Sequence, residues 1–96
     1  MSYTKPRISY EGTLSGQVTS NTTDFVVNLV DGASQPVTAG AIAFHFISAC
    51  SIKLNDEANA HVFQAGDKFT FSEVAITSFT IVENGASVNF SGQYVR

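Results

Sequence analysis

Ninety-six residues are enough for one domain with one core and not for two. Only 14% of them are charged, well below the ~25% of an ordinary soluble domain, and the formal net charge is −3. The five basic residues (Lys5, Arg7, Lys53, Lys68 and Arg96) are scattered, which argues against a nucleic-acid face, and no apolar run approaches the length of a membrane helix.

Polarity comes instead from uncharged side chains: 26 residues are Ser, Thr or Asn, against 44% apolar residues that include eight Phe. Hydroxyls and amides suit half-exposed strands and tight turns, whereas helical surfaces favour Glu, Lys and Arg. The composition reads as all-β.

Residues 1–12 hold Pro6, Gly12 and the isolated apolar residues Tyr3, Ile8 and Tyr10 without a sustained period, and they predict an extended arm ahead of a domain over 13–96. No apolar leader segment is present, so synthesis and residence in the cytoplasm are expected unless the chain leaves within a larger particle.

From Leu14 the chain alternates, with Leu14, Gly16 and Val18 on one face. The turn formers Asn21 to Asp24 follow, and then Phe25 to Val30. Pairing Val18 with Phe25 and Leu14 with Leu29 predicts a hairpin. Asp31-Gly32 ends that strand. Ile42, Phe44 and Phe46 then share a face opposite Ala43, His45 and Ile47, and Ile52 and Leu54 carry a further short strand. Gln64 to Asp67 predicts a second hairpin with two registers open, a three-residue loop pairing Phe63 with Phe69 and a two-residue loop at Ala65-Gly66 opposing Phe63 to Lys68; packing favours the first. Asn84-Gly85, the preferred type I′ dipeptide, predicts a third, opposing Ile81 to Val88 and Phe79 to Phe90. Val74 and Ile76 have the opposite parity to Phe79 and Ile81, so a bulge or bend is expected near Thr77-Ser78. Seven or eight short strands with frequent turn signals predict a single small antiparallel β-sandwich or jelly-roll-like domain.

The chemistry-bearing residues do not assemble into a motif. His45 and His61 are the only imidazoles; His45 alternates away from the core and His61 starts a strand after a polar loop. Nothing resembles a nucleophile elbow, and one Cys with two separated His does not make a zinc set. Asn55, Asp56, Glu57 and Asn59 crowd oxygen donors into one loop, but the spacing is not that of an EF-hand and a solvated turn explains it. Asp24, Asp31, Asp67 and Glu83 sit at strand ends as turn formers. Cys50, between Ala49 and Ser51, is expected as a small buried hydrophobe. No enzyme activity, cofactor or metal is expected.

Surface remains. Val26, Val30, Ile47, Val82 and Val95 fall on the faces opposite the core, so both strand faces are partly apolar. With the low charge, this suggests a subunit interface.

Over Ile42 to Tyr94 the chain resembles small β-sandwich structural proteins of tailed-bacteriophage virions, of the head decoration and head fibre type. The resemblance is carried by Ser51-Ile52-Lys53-Leu54-Asn55-Asp56, by Phe63-Gln64-Ala65-Gly66-Asp67-Lys68-Phe69-Thr70-Phe71, by Ile76-Thr77-Ser78-Phe79-Thr80-Ile81, and by the closing Asn84-Gly85 turn. It implies a virion structural protein assembled in the host cytoplasm as a homo-oligomer on a capsid or appendage protein. Tyr3, Ile8 and Tyr10 are then the expected anchors of an arm docked on a neighbour. The alternative is a glycan-binding sandwich of a phage tail or cell surface, which clustered exposed aromatics would favour.

Overall fold

The computed structural model describes residues 12–95. These form eight strands: β1 (Gly12–Thr19), β2 (Phe25–Asn28), β3 (Thr38–Phe46), β4 (Cys50–Leu54), β5 (His61–Phe63), β6 (Lys68–Ile76), β7 (Ser78–Ile81) and β8 (Ser87–Val95). They make two four-stranded antiparallel sheets, ordered β1-β8-β3-β6 (sheet A) and β2-β7-β4-β5 (sheet B).

The arrangement follows from folding the chain in half at the 55–60 loop. Doing so pairs β4 with β5, β3 with β6, β2 with β7 and β1 with β8, as one long antiparallel ribbon. The ribbon then rolls so that β3 meets β8 and β4 meets β7, closing the two sheets. An eight-stranded double sheet wound in this way is a jelly roll.

The three predicted hairpins are therefore corrected. β1 and β2, β5 and β6, and β7 and β8 each lie in different sheets, so every one of those turns is an arch between layers. The expected contacts survive in two of the three. Phe79 and Phe90 meet edge to face at 5.3 Å, and Phe63 and Phe69 are tilted at 5.6 Å, across the sandwich instead of along a ladder. Nor is Asn84-Gly85 a type I′ turn, since of the two only Gly85 has positive φ (+80°).

Corners are held by the ribbon partner beside them. Ser20 is buried; its N–H donates to Ala86 O (2.9 Å), its hydroxyl donates to Glu83 O (2.6 Å), and that hydroxyl accepts from Ala86 N (3.0 Å). The β1–β2 and β7–β8 corners are thereby clasped together. At the other end Asn55 spans the β6–β7 corner. Its amide donates to Ala75 O (3.0 Å) and accepts from Thr77 N (2.8 Å). The chain leaves sheet A at Ile76 and enters sheet B at Ser78, which accounts for the parity change expected at Thr77-Ser78. A second irregularity lies within β6: Ala41 pairs with Ser72 but Ala39 with Ile76, and Glu73 takes φ +56°. This bulge moves the inward position from Phe71 to Ile76.

The inner faces bury Ile42, Phe44 and Phe46 of β3, Ile52 of β4, Phe79 and Ile81 of β7 and Val88 of β8 almost completely. Phe44 crosses the layers to Phe79, edge to face at 5.0 Å, a geometry that favours aromatic pairs beyond the area they bury. Cys50 is buried and unpaired, the small hydrophobe that its neighbours predict.

Candidate interaction surface

Antiparallel pairing puts directly opposed residues on one face, and for sheet A this separates the two faces cleanly. Outward lie Ser15 and Gln17 on β1, Asn89, Ser91 and Gln93 on β8, Ala41, Ala43 and His45 on β3, and Lys68, Thr70 and Ser72 on β6. Small side chains down the middle leave a shallow trough of about 350 Å³ between Thr13, Ala43, Thr70, Ser91 and Gln93. A second of about 330 Å³ lies between His45, Lys68, Thr70 and Asn89. This face offers hydroxyls, amides and the His45 imidazole, but almost no charge and no exposed Phe or Tyr among the described residues.

The side of the sandwich where β5 and β6 end the two sheets is different. His61 and Phe71 meet at 5.3 Å, Phe69 and Phe71 at 4.7 Å, Phe63 and Phe69 at 5.6 Å, and Phe63 stacks on the buried Phe46 at 4.2 Å. An aromatic seam thus runs from the core to the surface, where Phe69 is 47% exposed; Val62, on the opposite face of β5 from His61 and Phe63, is 71% exposed. β6 is the last strand of sheet A, so among the described residues no strand covers its outer backbone edge. Proteins shield such edges with lysines and bulges. Here Lys68 opens β6 and the Glu73 bulge interrupts it after Ser72, which leaves 69–72 open between them. Acidic residues flank the seam in sequence. Glu57 lies 3.7 Å from His61, Asp67 and Glu73 are each two residues from a seam phenylalanine, and Asp56 shares the loop with Glu57.

The opposite open side, between β1 and β2, is narrower. It holds a hollow of about 160 Å³ lined by Leu14, Asn28, Leu29, Val30 and Phe90. Neither β1 nor β2 carries an acidic residue.

The remaining polar residues are committed to the scaffold. Glu83 accepts from Ser51 N–H (2.7 Å) and from the Ser51 hydroxyl (2.9 Å). Partial burial opposes its ionisation, but these bonds and its own backbone N–H outweigh that and hold the carboxyl below the ordinary glutamate value. Burial first, and the Glu83 charge second, push the Cys50 thiol up to about 11, so it stays protonated at neutral pH. In the oxygen-rich loop the amide of Asn55 is spent on the β6–β7 corner, which takes it out of any ion shell that loop could form. His45 and His61 are both exposed and lie on different parts of the surface, His45 on the outer face of sheet A and His61 in the seam.

The predicted anchors Tyr3, Ile8 and Tyr10 lie outside the described residues. Sequence reasoning anticipated the Phe63–Phe69 contact but not that β6 is an edge. The cue was local: a lysine, two alternating phenylalanines and a glutamate at the bulge. The sequence matches no protein-family model and no curated protein.

Proposed function

We propose that the chain is a structural subunit of a bacteriophage particle, acting through contacts with copies of itself and with a capsid or appendage protein. The observation that carries the reading is the aromatic seam at the unshielded β6 edge. Exposed aromatic residues beside unpaired backbone groups are what a sheet offers to a partner. The jelly-roll layering supports the reading by analogy only, because that architecture recurs in viral capsid domains and in lectins alike.

Light scattering on the purified protein tests the reading. Self-association is expected, and a protein that stays monomeric up to about 1 mM, where association is weaker than about 4 kcal/mol, overturns it. The troughs on the outer face of sheet A favour a second reading, a glycan-binding module, since their hydroxyls and amides suit sugars. His45 is the one exposed ring there among the described residues, and no exposed Phe or Tyr accompanies it to stack on a sugar face. Clear hits on a glycan array from a monomeric protein would place this reading first.

A further inference from the structure

We infer that the β5–β6 seam is the receptor for residues 1–11 of a second copy of this chain, which adds to the free edge of β6 as an extra strand. The inference deepens the assembly reading and rests on it: that reading says the protein self-associates, and this one says which surfaces meet.

Three observations converge. The first is position. Eleven residues precede Gly12, where β1 begins, and β1 and β6 are the two outer strands of sheet A. An extended segment of that length spans roughly 36 Å, enough to cross a neighbour's sheet edge. The second is pattern. Ile8 and Tyr10 have the same parity as Gly12, Leu14, Gly16 and Val18, the inward positions of β1. Residues 7–11 therefore read as a period-two stretch with one apolar side. Such a stretch is suited to strand addition, in which backbone bonds supply affinity and alternate side chains fill pockets.

The third is charge. Residues 1–11 carry Lys5 and Arg7 against Glu11, while Glu57 meets His61 in the seam and Asp67 and Glu73 flank Phe69 and Phe71 in sequence, against Lys68. Basic segment and acidic flank are complementary, which favours encounter and fixes orientation. The β1–β2 side lacks an exposed phenylalanine, so it is the weaker receptor. The window between Lys68 and the Glu73 bulge leaves room on β6 for a short added strand and no more.

A complementation experiment tests this. One variant lacks residues 1–11 and keeps the seam; the other, Phe69→Lys, keeps the arm and has a charged, occluded edge. Far-UV circular dichroism checks that both are folded. Glu73→Lys serves as an independent exposed variant should Phe69→Lys lose structure.

Light scattering is expected to show each of the first two variants monomeric, and a 1:1 mixture forming a heterodimer, since one supplies the arm and the other the edge. Glu73→Lys is expected to weaken self-association of the full chain roughly two- to fivefold, and added salt to weaken that of the unmodified chain. If the full chain assembles but the truncated protein assembles equally well, the interface lies elsewhere and the inference is overturned while the assembly reading stands. A mixture that fails to associate also overturns it, because an arm folded onto its own body, or an arm needed only for stability, cannot be complemented in trans. If the full chain is itself monomeric, the assembly reading fails and takes this inference with it.

Discussion

Gly92→Ala puts the close packing of sheet A to a quantitative test. Gly92 sits in β8, between β1 and β3, opposite Leu14 on one side and Ile42 on the other. A Cβ there would stand 2.8 Å from the Ala41 carbonyl oxygen, 3.4 Å from Leu14 Cδ1 and 3.6 Å from Ile42 Cα. The first neighbour is backbone in the middle of a sheet, so it cannot swing aside as a side-chain tip would. Overpacking of this kind costs about 1–3 kcal/mol, and replacing glycine returns about 0.4–1 kcal/mol by restricting the unfolded chain. At the middle of each range the net is a loss of about 1.3 kcal/mol. For a domain of this size each kcal/mol moves Tm by roughly 4–8 °C, so a fall of roughly 5–10 °C is expected in thermal unfolding followed by circular dichroism. Gly32→Ala is the control, because a Cβ there meets nothing within 4 Å. Its Tm should not fall, and the unfolded-chain effect alone raises it by roughly 2–8 °C. An unchanged or raised Tm for Gly92→Ala would refute the argument that β8 and β3 approach too closely for a side chain.

Ser20→Ala removes the hydroxyl that bridges two corners and leaves the Ala86 N–H without that acceptor; a loss of about 1–3 kcal/mol in denaturant unfolding is expected. Cys50 should resist a thiol reagent at neutral pH in the native protein and react fully in denaturant, and rapid native labelling would show that the thiol is neither buried nor protonated. Glu83→Gln tests the Ser51 clasp through pH. Because the folded carboxyl titrates below its ordinary value, its contribution is present above the ordinary glutamate range and is lost as pH falls through the folded value. At neutral pH the variant should be less stable by about 1 kcal/mol or less, solvent screening being large at this exposed site. The gap should close in acid, and a gap that widens in acid contradicts the hydrogen-bonded carboxylate.

What could be read in advance was the direction each side chain faces. Alternation places Ile42, Phe44 and Phe46 inward and His45 outward, because a strand has only two faces and the core selects one. Partners were harder. Two apolar strands joined by a turn match residue against residue whether they pair in a ladder or face one another across a sandwich. Phe79 and Phe90 satisfy both arrangements on paper. The choice is made by corner hydrogen bonds, those of Ser20 and Asn55, whose residue types are ordinary turn formers and do not announce which ribbon partner they will bind. The seam was hidden for the same reason. Phe69-Thr70-Phe71 reads as a core strand until β6 is seen to be the last in its sheet, where an inward position is only half covered.

That last point links topology to assembly. Among the described residues, rolling one long ribbon into two layers leaves its lateral strands uncovered, β1 and β6 in one sheet and β2 and β5 in the other. β2 and β5 are kept short, four and three residues, and short edges invite little pairing. β6 is nine residues long and carries its most exposed ring in the stretch that neither Lys68 nor the bulge shields. An arm that leaves from β1 and docks at β6 joins two different surfaces. Each copy then both donates and receives. Such a contact is exchanged reciprocally in a two-fold pair, closes into a ring, or propagates, according to the angle between β1 and β6 across one subunit. The same rolled ribbon that builds the core thus sets the geometry in which neighbours would meet.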